Sequence, residues 1–143
     1  MKGREIHILL VEDNEGDIVL AKEALKEARI KNRITVVTDG EQALQYLFRE
    51  NGYYNASHPD LILLDVNLPK VNGMEVLERI KSDPALKIIP VVMLTTSTSE
   101  KDVMRAYQSY VNCYINKPID LEEFIRVIKT IESFWLNVVK LPH

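Results

Sequence analysis

The chain is expected to adopt an α/β fold, a five-stranded parallel sheet with helices on both faces. Three observations predict it. Leu61-Ile62-Leu63-Leu64 is an unbroken apolar run, the pattern of a strand buried on both faces as in a parallel sheet. Such apolar runs alternate along the chain with helix-length stretches, and that alternation requires right-handed crossovers on both sides of one sheet. Four of the five runs also end in a polar residue able to do chemistry. In open α/β sheets, ligands bind at the carboxyl ends of the strands.

The elements follow in order. Ile6-His7-Ile8-Leu9-Leu10-Val11 is the first strand, ending in Glu12-Asp13. From about Asp17 to Ala28 the residues Ile18, Ala21, Leu25 and Ala28 share one helical face. Ile34–Val37 is a second, shorter strand. Asp39 caps the next helix with Gln42 three residues on, and Ala43, Leu44, Leu47 and Phe48 form its inner face. A polar loop, Asn51 to Pro59, leads to the third strand and Asp65. Gly73 precedes a helix through about Ser82, stopped by Asp83-Pro84. Pro90–Leu94 is the fourth strand, followed by Thr95-Thr96-Ser97-Thr98. Ser99 caps a helix with Val103, Ala106, Tyr107 and Tyr110 inside. Val111–Asn116 is the fifth strand, ending at Lys117-Pro118. Asp120 then caps a last helix carrying Leu121, Phe124, Ile125, Ile128 and Trp135. The expected organisation is one domain over residues 1–143, with a tail from about 137.

Bulk properties narrow the classes. The chain has 143 residues, enough for one full core, and 27% of them are charged. A net charge of −3 gives no electrostatic case for nucleic acid. No apolar run is long enough to span a membrane, and the N-terminus lacks a signal core. The single cysteine, Cys113, excludes an internal disulfide, fits a reducing cytoplasm, and reads as a small packed residue.

Parallel strands end on one edge, so Glu12-Asp13, Asp65, Thr95 and Lys117 should meet there. Taken singly, each has an ordinary explanation: acids at a helix start, a turn aspartate, a capping loop, a strand exit. Together they have a common chemistry. Three carboxylates held close repel unless a cation sits among them, and an all-oxygen set suits Mg²⁺. Lys117 adds fixed positive charge and Thr95 a hydroxyl donor. Such a set suits a phosphoryl group, with Asp65 as the nucleophile.

Leu10-Val11-Glu12-Asp13-Asn14, Leu63-Leu64-Asp65-Val66-Asn67-Leu68-Pro69 with Gly73, Leu94-Thr95 and Lys117-Pro118 resemble the signature set of two-component response-regulator receiver domains. The resemblance covers essentially the whole chain. It implies a flavodoxin-like sheet of order 2-1-3-4-5. It also implies that Asp65 accepts a phosphoryl group from a phosphohistidine on a sensor histidine kinase. Carried over by position, Glu12, Asp13, Asp65 and the backbone carbonyl of Asn67 hold Mg²⁺, and Lys117 pairs with the phosphate. Thr95 and Tyr114 match the family's switch pair, and Lys117-Pro118 the position of its cis peptide. Two departures stand out: Tyr110-Val111 replaces a common Gly-Ala pair, and Thr96 replaces a small residue whose size governs access to the phosphate. With the long Asn51–Pro59 loop and the extended last helix, these features look like the single-domain response regulators that serve bacterial phytochromes.

That resemblance implies a signalling protein rather than a turnover enzyme. Its output would be a partner surface shifted by phosphorylation. The face of the fourth helix, fifth strand and last helix is the expected homodimer surface, with Tyr107, Tyr110, Phe134 and Trp135 upon it and the Val138–Leu141 tail assisting. Asn67 and Ser97, each two residues past a key position, are expected to control the aspartyl-phosphate lifetime. Two other readings stay open at this level. A Mg²⁺-dependent phosphohydrolase of the haloacid-dehalogenase kind also uses Asp and Lys, but normally carries an acid where Asn67 stands. A pseudo-receiver would act only as an interaction module. A nucleotide or flavin binder would need a glycine-rich phosphate loop, and the sequence has none.

Overall fold

The computed structural model describes residues 5–27, 31–95, 113–116 and 120–134. Its strands are β1 (Ile6–Val11), β2 (Asn32–Val37), β3 (Leu61–Asp65), β4 (Val91–Thr95) and β5 (Cys113–Asn116). The helices among the described residues are α1 (Glu15–Glu27), α2 (Gly40–Leu47), α3 (Gly73–Lys81) and α4 (Leu121–Phe134). The helix expected after Ser99 lies outside the described residues. All strand pairs are parallel and the order is β2-β1-β3-β4-β5, as anticipated.

The strands alternate in the two directions that a doubly covered sheet requires. Ile6, Ile8 and Leu10 of β1, with Leu61 and Leu63 of β3, face Ala21, Ala24 and Leu25 of α1 and Phe124 and Ile128 of α4. Leu9 and Val11, with Ile62 and Leu64, face Leu44 and Leu47 of α2 and Val76, Leu77 and Ile80 of α3. Burial on both faces explains why these strands read as continuous apolar runs.

Local chemistry sets the element ends. α1 begins two residues before the expected Asp17. The side-chain Oδ1 of Asn14 accepts from the Asp17 N–H (2.9 Å), and the Ile18 N–H donates to the Asn14 carbonyl (3.0 Å). The Asp39 carboxylate caps α2 through the Gln42 N–H (2.7 Å), while Gln42 reaches back to the Thr38 N–H (3.1 Å). For α3 the cap is Asn72, which accepts from the Met74 N–H (2.7 Å), so Gly73 is the first helical residue. Asp120 caps α4 through the Glu122 and Glu123 N–H groups (2.9 and 3.2 Å). β2 starts two residues earlier than its apolar run, because Asn32 and Arg33 pair with Ile6 and His7.

Candidate functional site

Register delivers the acids. Val11 pairs with Leu64, so Glu12 and Asp65 leave β1 and β3 side by side. Glu12 is fully buried and Asp65 almost so, whereas Asp13 is exposed. One carboxylate oxygen from each of the three lies within 4.8 Å of the others. Backbone donors orient two of them. The Asn14 N–H donates to Glu12 Oε2 (3.1 Å), and the Asn67 N–H donates to Asp65 Oδ1 (3.1 Å). The backbone beneath is pinned as well, through Glu12 N–H to the Val37 carbonyl (3.1 Å) and Val66 N–H to the Leu94 carbonyl (2.9 Å).

Gly73 allows the third strand to end where it does. A Cβ there would overlap the Asp65 carbonyl oxygen and sit 2.7 Å from Val66 Cα. The Gly73 N–H instead donates to the Val66 carbonyl (2.9 Å), closing the loop that carries Asn67.

This donor set fits a hard divalent cation. Oxygens around an octahedral ion at about 2.1 Å stand about 3 to 4.2 Å apart, a spacing compatible with the trio here. Asn67 sits at the mouth of the same strand end, where the sequence places it. β4 ends at Thr95, whose register partner on β5 is Asn116, the residue before Lys117. Lys117, Ser97, Thr96, Tyr107, Tyr110, Trp135 and the Val138–Leu141 tail lie outside the described residues, as do the side chains of Thr95, Cys113, Tyr114 and Phe134.

Two features, one beside the site and one remote from it, were not singled out from the sequence. The turn Asp39-Gly40-Glu41, read there only as a helix start, packs against the Asn67 loop. At the opposite end of β1, His7 is buried, with Nε2 3.0 Å from Thr35 Oγ1 and 3.2 Å from the Tyr46 hydroxyl. Burial, reinforced by the Arg33 guanidinium, holds this imidazole below its ordinary pKa, although Asp60, the His58 backbone and Glu5 pull the other way. A histidine in an apolar strand carries no pattern that announces such a network.

An acidic pocket at the ends of the first and third strands of a parallel α/β sheet is typical of a phospho-acceptor site, and the sequence points the same way. Residues 8–129 match the response regulator receiver domain, so the chain belongs to that family. It is 47% identical over 135 residues to the response regulator Rcp1 of Synechocystis, covering 94% of this chain and 92% of that protein. It is 44% identical over 135 residues to a probable methanogenesis regulatory protein, FilR2, of Methanothrix harundinacea, covering 94% and 86%. Among solved structures it resembles the phosphorylated cyanobacterial phytochrome response regulator RcpA, with a TM-score of 0.84, 50% identity and coverage of 98% and 100%. The Mn²⁺-bound form of Rcp1 follows at a TM-score of 0.82 and 46% identity, covering 96% and 99%. The chain is thus a response-regulator receiver, a signalling protein closely related to phytochrome-associated response regulators. No helix among the described residues is long and apolar enough to cross a membrane.

Proposed function

We propose that Asp65 is the phosphoryl acceptor of a phytochrome-type relay, with Glu12, Asp13, Asp65 and the Asn67 carbonyl holding Mg²⁺. The observation that carries this reading is the cluster of three carboxylates within 4.8 Å, two of them buried, at the ends of adjacent strands. Ionised groups are not buried together without a compensating charge.

In the transfer, a carboxylate oxygen of Asp65 forms a bond to phosphorus as the bond from phosphorus to the donor imidazole nitrogen breaks. The Asn67 N–H holds the Asp65 carboxylate in position through Oδ1. A bound divalent ion supplies charge neutralisation for the phosphoryl oxygens. Lys117 pairs with the phosphate, and the Thr95 hydroxyl hydrogen-bonds it and moves with Tyr114 as the switch. Hydrolysis later breaks the new bond by attack of water on phosphorus, restoring the carboxylate. Asn67 and Ser97 set how long that takes, and unchanged hydrolysis half-lives in Asn67→Ala and Ser97→Ala would remove that role.

The donor proposed is a cytoplasmic sensor histidine kinase of bacteriophytochrome type, supported by the phytochrome association of RcpA. Residues 1–143 are read as one receiver unit whose output is a homodimer through the face of the helix expected after Ser99, β5 and α4. The test is incubation with acetyl phosphate or a fluoroberyllate mimic and Mg²⁺. With acetyl phosphate a receiver gains one hydroxylamine-labile phosphoryl group, and with fluoroberyllate it binds the mimic without any phosphoryl transfer; both are lost in Asp65→Asn. Turnover of outside phosphate esters would indicate a hydrolase, and no labelling a pseudo-receiver. A mass that stays monomeric with and without donor would reject the dimer.

A further inference from the structure

The loop bearing Asn67 does not stand alone. Within it, the Leu68 N–H donates to the Val66 carbonyl (3.2 Å), and Val71 N–H to the Pro69 carbonyl (2.8 Å). From outside, the turn between β2 and α2 presses on it. The Gly40 N–H donates to the Pro69 carbonyl (3.3 Å). Gly40 has no room for a side chain: a Cβ would overlap the Val71 carbonyl oxygen, 2.7 Å from its carbon and 2.8 Å from Val71 Cβ. That neighbour is backbone, so it cannot swing aside as a flexible side chain would.

Residues on either side of Gly40 add a second contact. Lys70 Nζ lies 3.5 Å from Glu41 Oε1 and 3.9 Å from Asp39 Oδ2. Lys70 itself has a φ of 68°, a left-handed conformation that a lysine keeps only where its surroundings enforce it. Two turns from different crossovers are therefore locked face to face, three residues from Asn67.

We infer that Gly40 is a positioning residue for the acid site, and that Lys70 assists it: the Asp39-Gly40-Glu41 turn sets where the Asn67 loop stands and so sets divalent-cation affinity. The inference rests on the proposed metal role of that loop. Its physical link is the Asn67 N–H to Asp65 Oδ1, which lengthens or turns if the Pro69–Val71 segment moves outward. Neither Gly40 nor Lys70 touches the reacting atoms.

The experiment is Mn²⁺ and Mg²⁺ titration of the purified chain by calorimetry, with folding checked by circular dichroism and the Asn67 amide followed by NMR. Gly40→Ala is expected to bind about tenfold more weakly and to shift the Asn67 amide, as supporting residues around metal ligands do when altered. Lys70→Gly keeps the backbone conformation free of strain and removes the charge; about threefold weaker binding is expected, in line with an exposed ion pair. Lys70→Arg should restore it. If Gly40→Ala does not fold, Lys70→Gly and Lys70→Arg decide. Wild-type affinity in folded Gly40→Ala, or in Lys70→Gly where the first fails to fold, overturns the inference while leaving the site intact. A wild-type chain that binds neither ion overturns the reading of the acid site itself.

Discussion

Removing the charge of Asp65 should stabilise the metal-free protein, although the substitution sits in a tightly packed strand end. Two like charges 4.8 Å apart, the bound within which the three oxygens lie, repel by about 0.9 kcal/mol in water and about 3.5 kcal/mol at an effective dielectric of 20. The Glu12–Asp65 pair is buried and belongs near the upper figure. The Asp13–Asp65 pair is half-open to solvent and belongs near the lower. Asparagine preserves the shape and an acceptor for the Asn67 N–H, while the loss of the further contacts of the Asp65 carboxylate offsets part of the gain. Discounting for relaxation and for those contacts, Asp65→Asn should gain about 1–3 kcal/mol in chelator, roughly 3 °C per kcal/mol for a chain of this size. The assay is urea denaturation with and without Mg²⁺. Wild type should gain stability from the ion by linkage and the variant much less. A variant no more stable than wild type in chelator, or one gaining equally from Mg²⁺, would refute the reasoning.

Further expectations concern the scaffold. His7 is held below its ordinary value of 6.5 in the folded state, so the unfolded chain takes up its proton first as pH falls. Its contribution is complete above about pH 6.5 and is lost progressively below it, down to the lowered folded value. Denaturant midpoints between about pH 7.5 and about 5.5 should fall less in His7→Gln than in wild type, and equal slopes would exclude the imidazole as the cause. Leu77 is wholly buried between α3 and the sheet, and Leu77→Ala should cost about 2–5 kcal/mol in the same assay with no change in the cation affinity per folded molecule.

The sheet was legible because doubly buried parallel strands write themselves as uninterrupted runs, as in Leu61–Leu64, and because caps such as Asp39 and Asp120 are local signals. Glu12, Asp13 and Asp65 could be gathered from sequence for the same reason: in a parallel sheet, position along the strand dictates position in space. The helix starts moved by a residue or two where a side-chain cap, such as Asn14, extends the first turn beyond the apolar pattern.

What the amino-acid order determined by itself was the fold, the trio of acids and the family, since each is encoded in periodicity or in residues whose spacing along strands is their spacing at the site. The seat of Gly40 against Val71, the left-handed Lys70 and the buried His7–Thr35–Tyr46 group were decided only by the tertiary structure. Those contacts join segments that neither pair in the sheet nor share a helix face. No period connects them, and they exist only once the crossovers have brought separate turns into van der Waals contact.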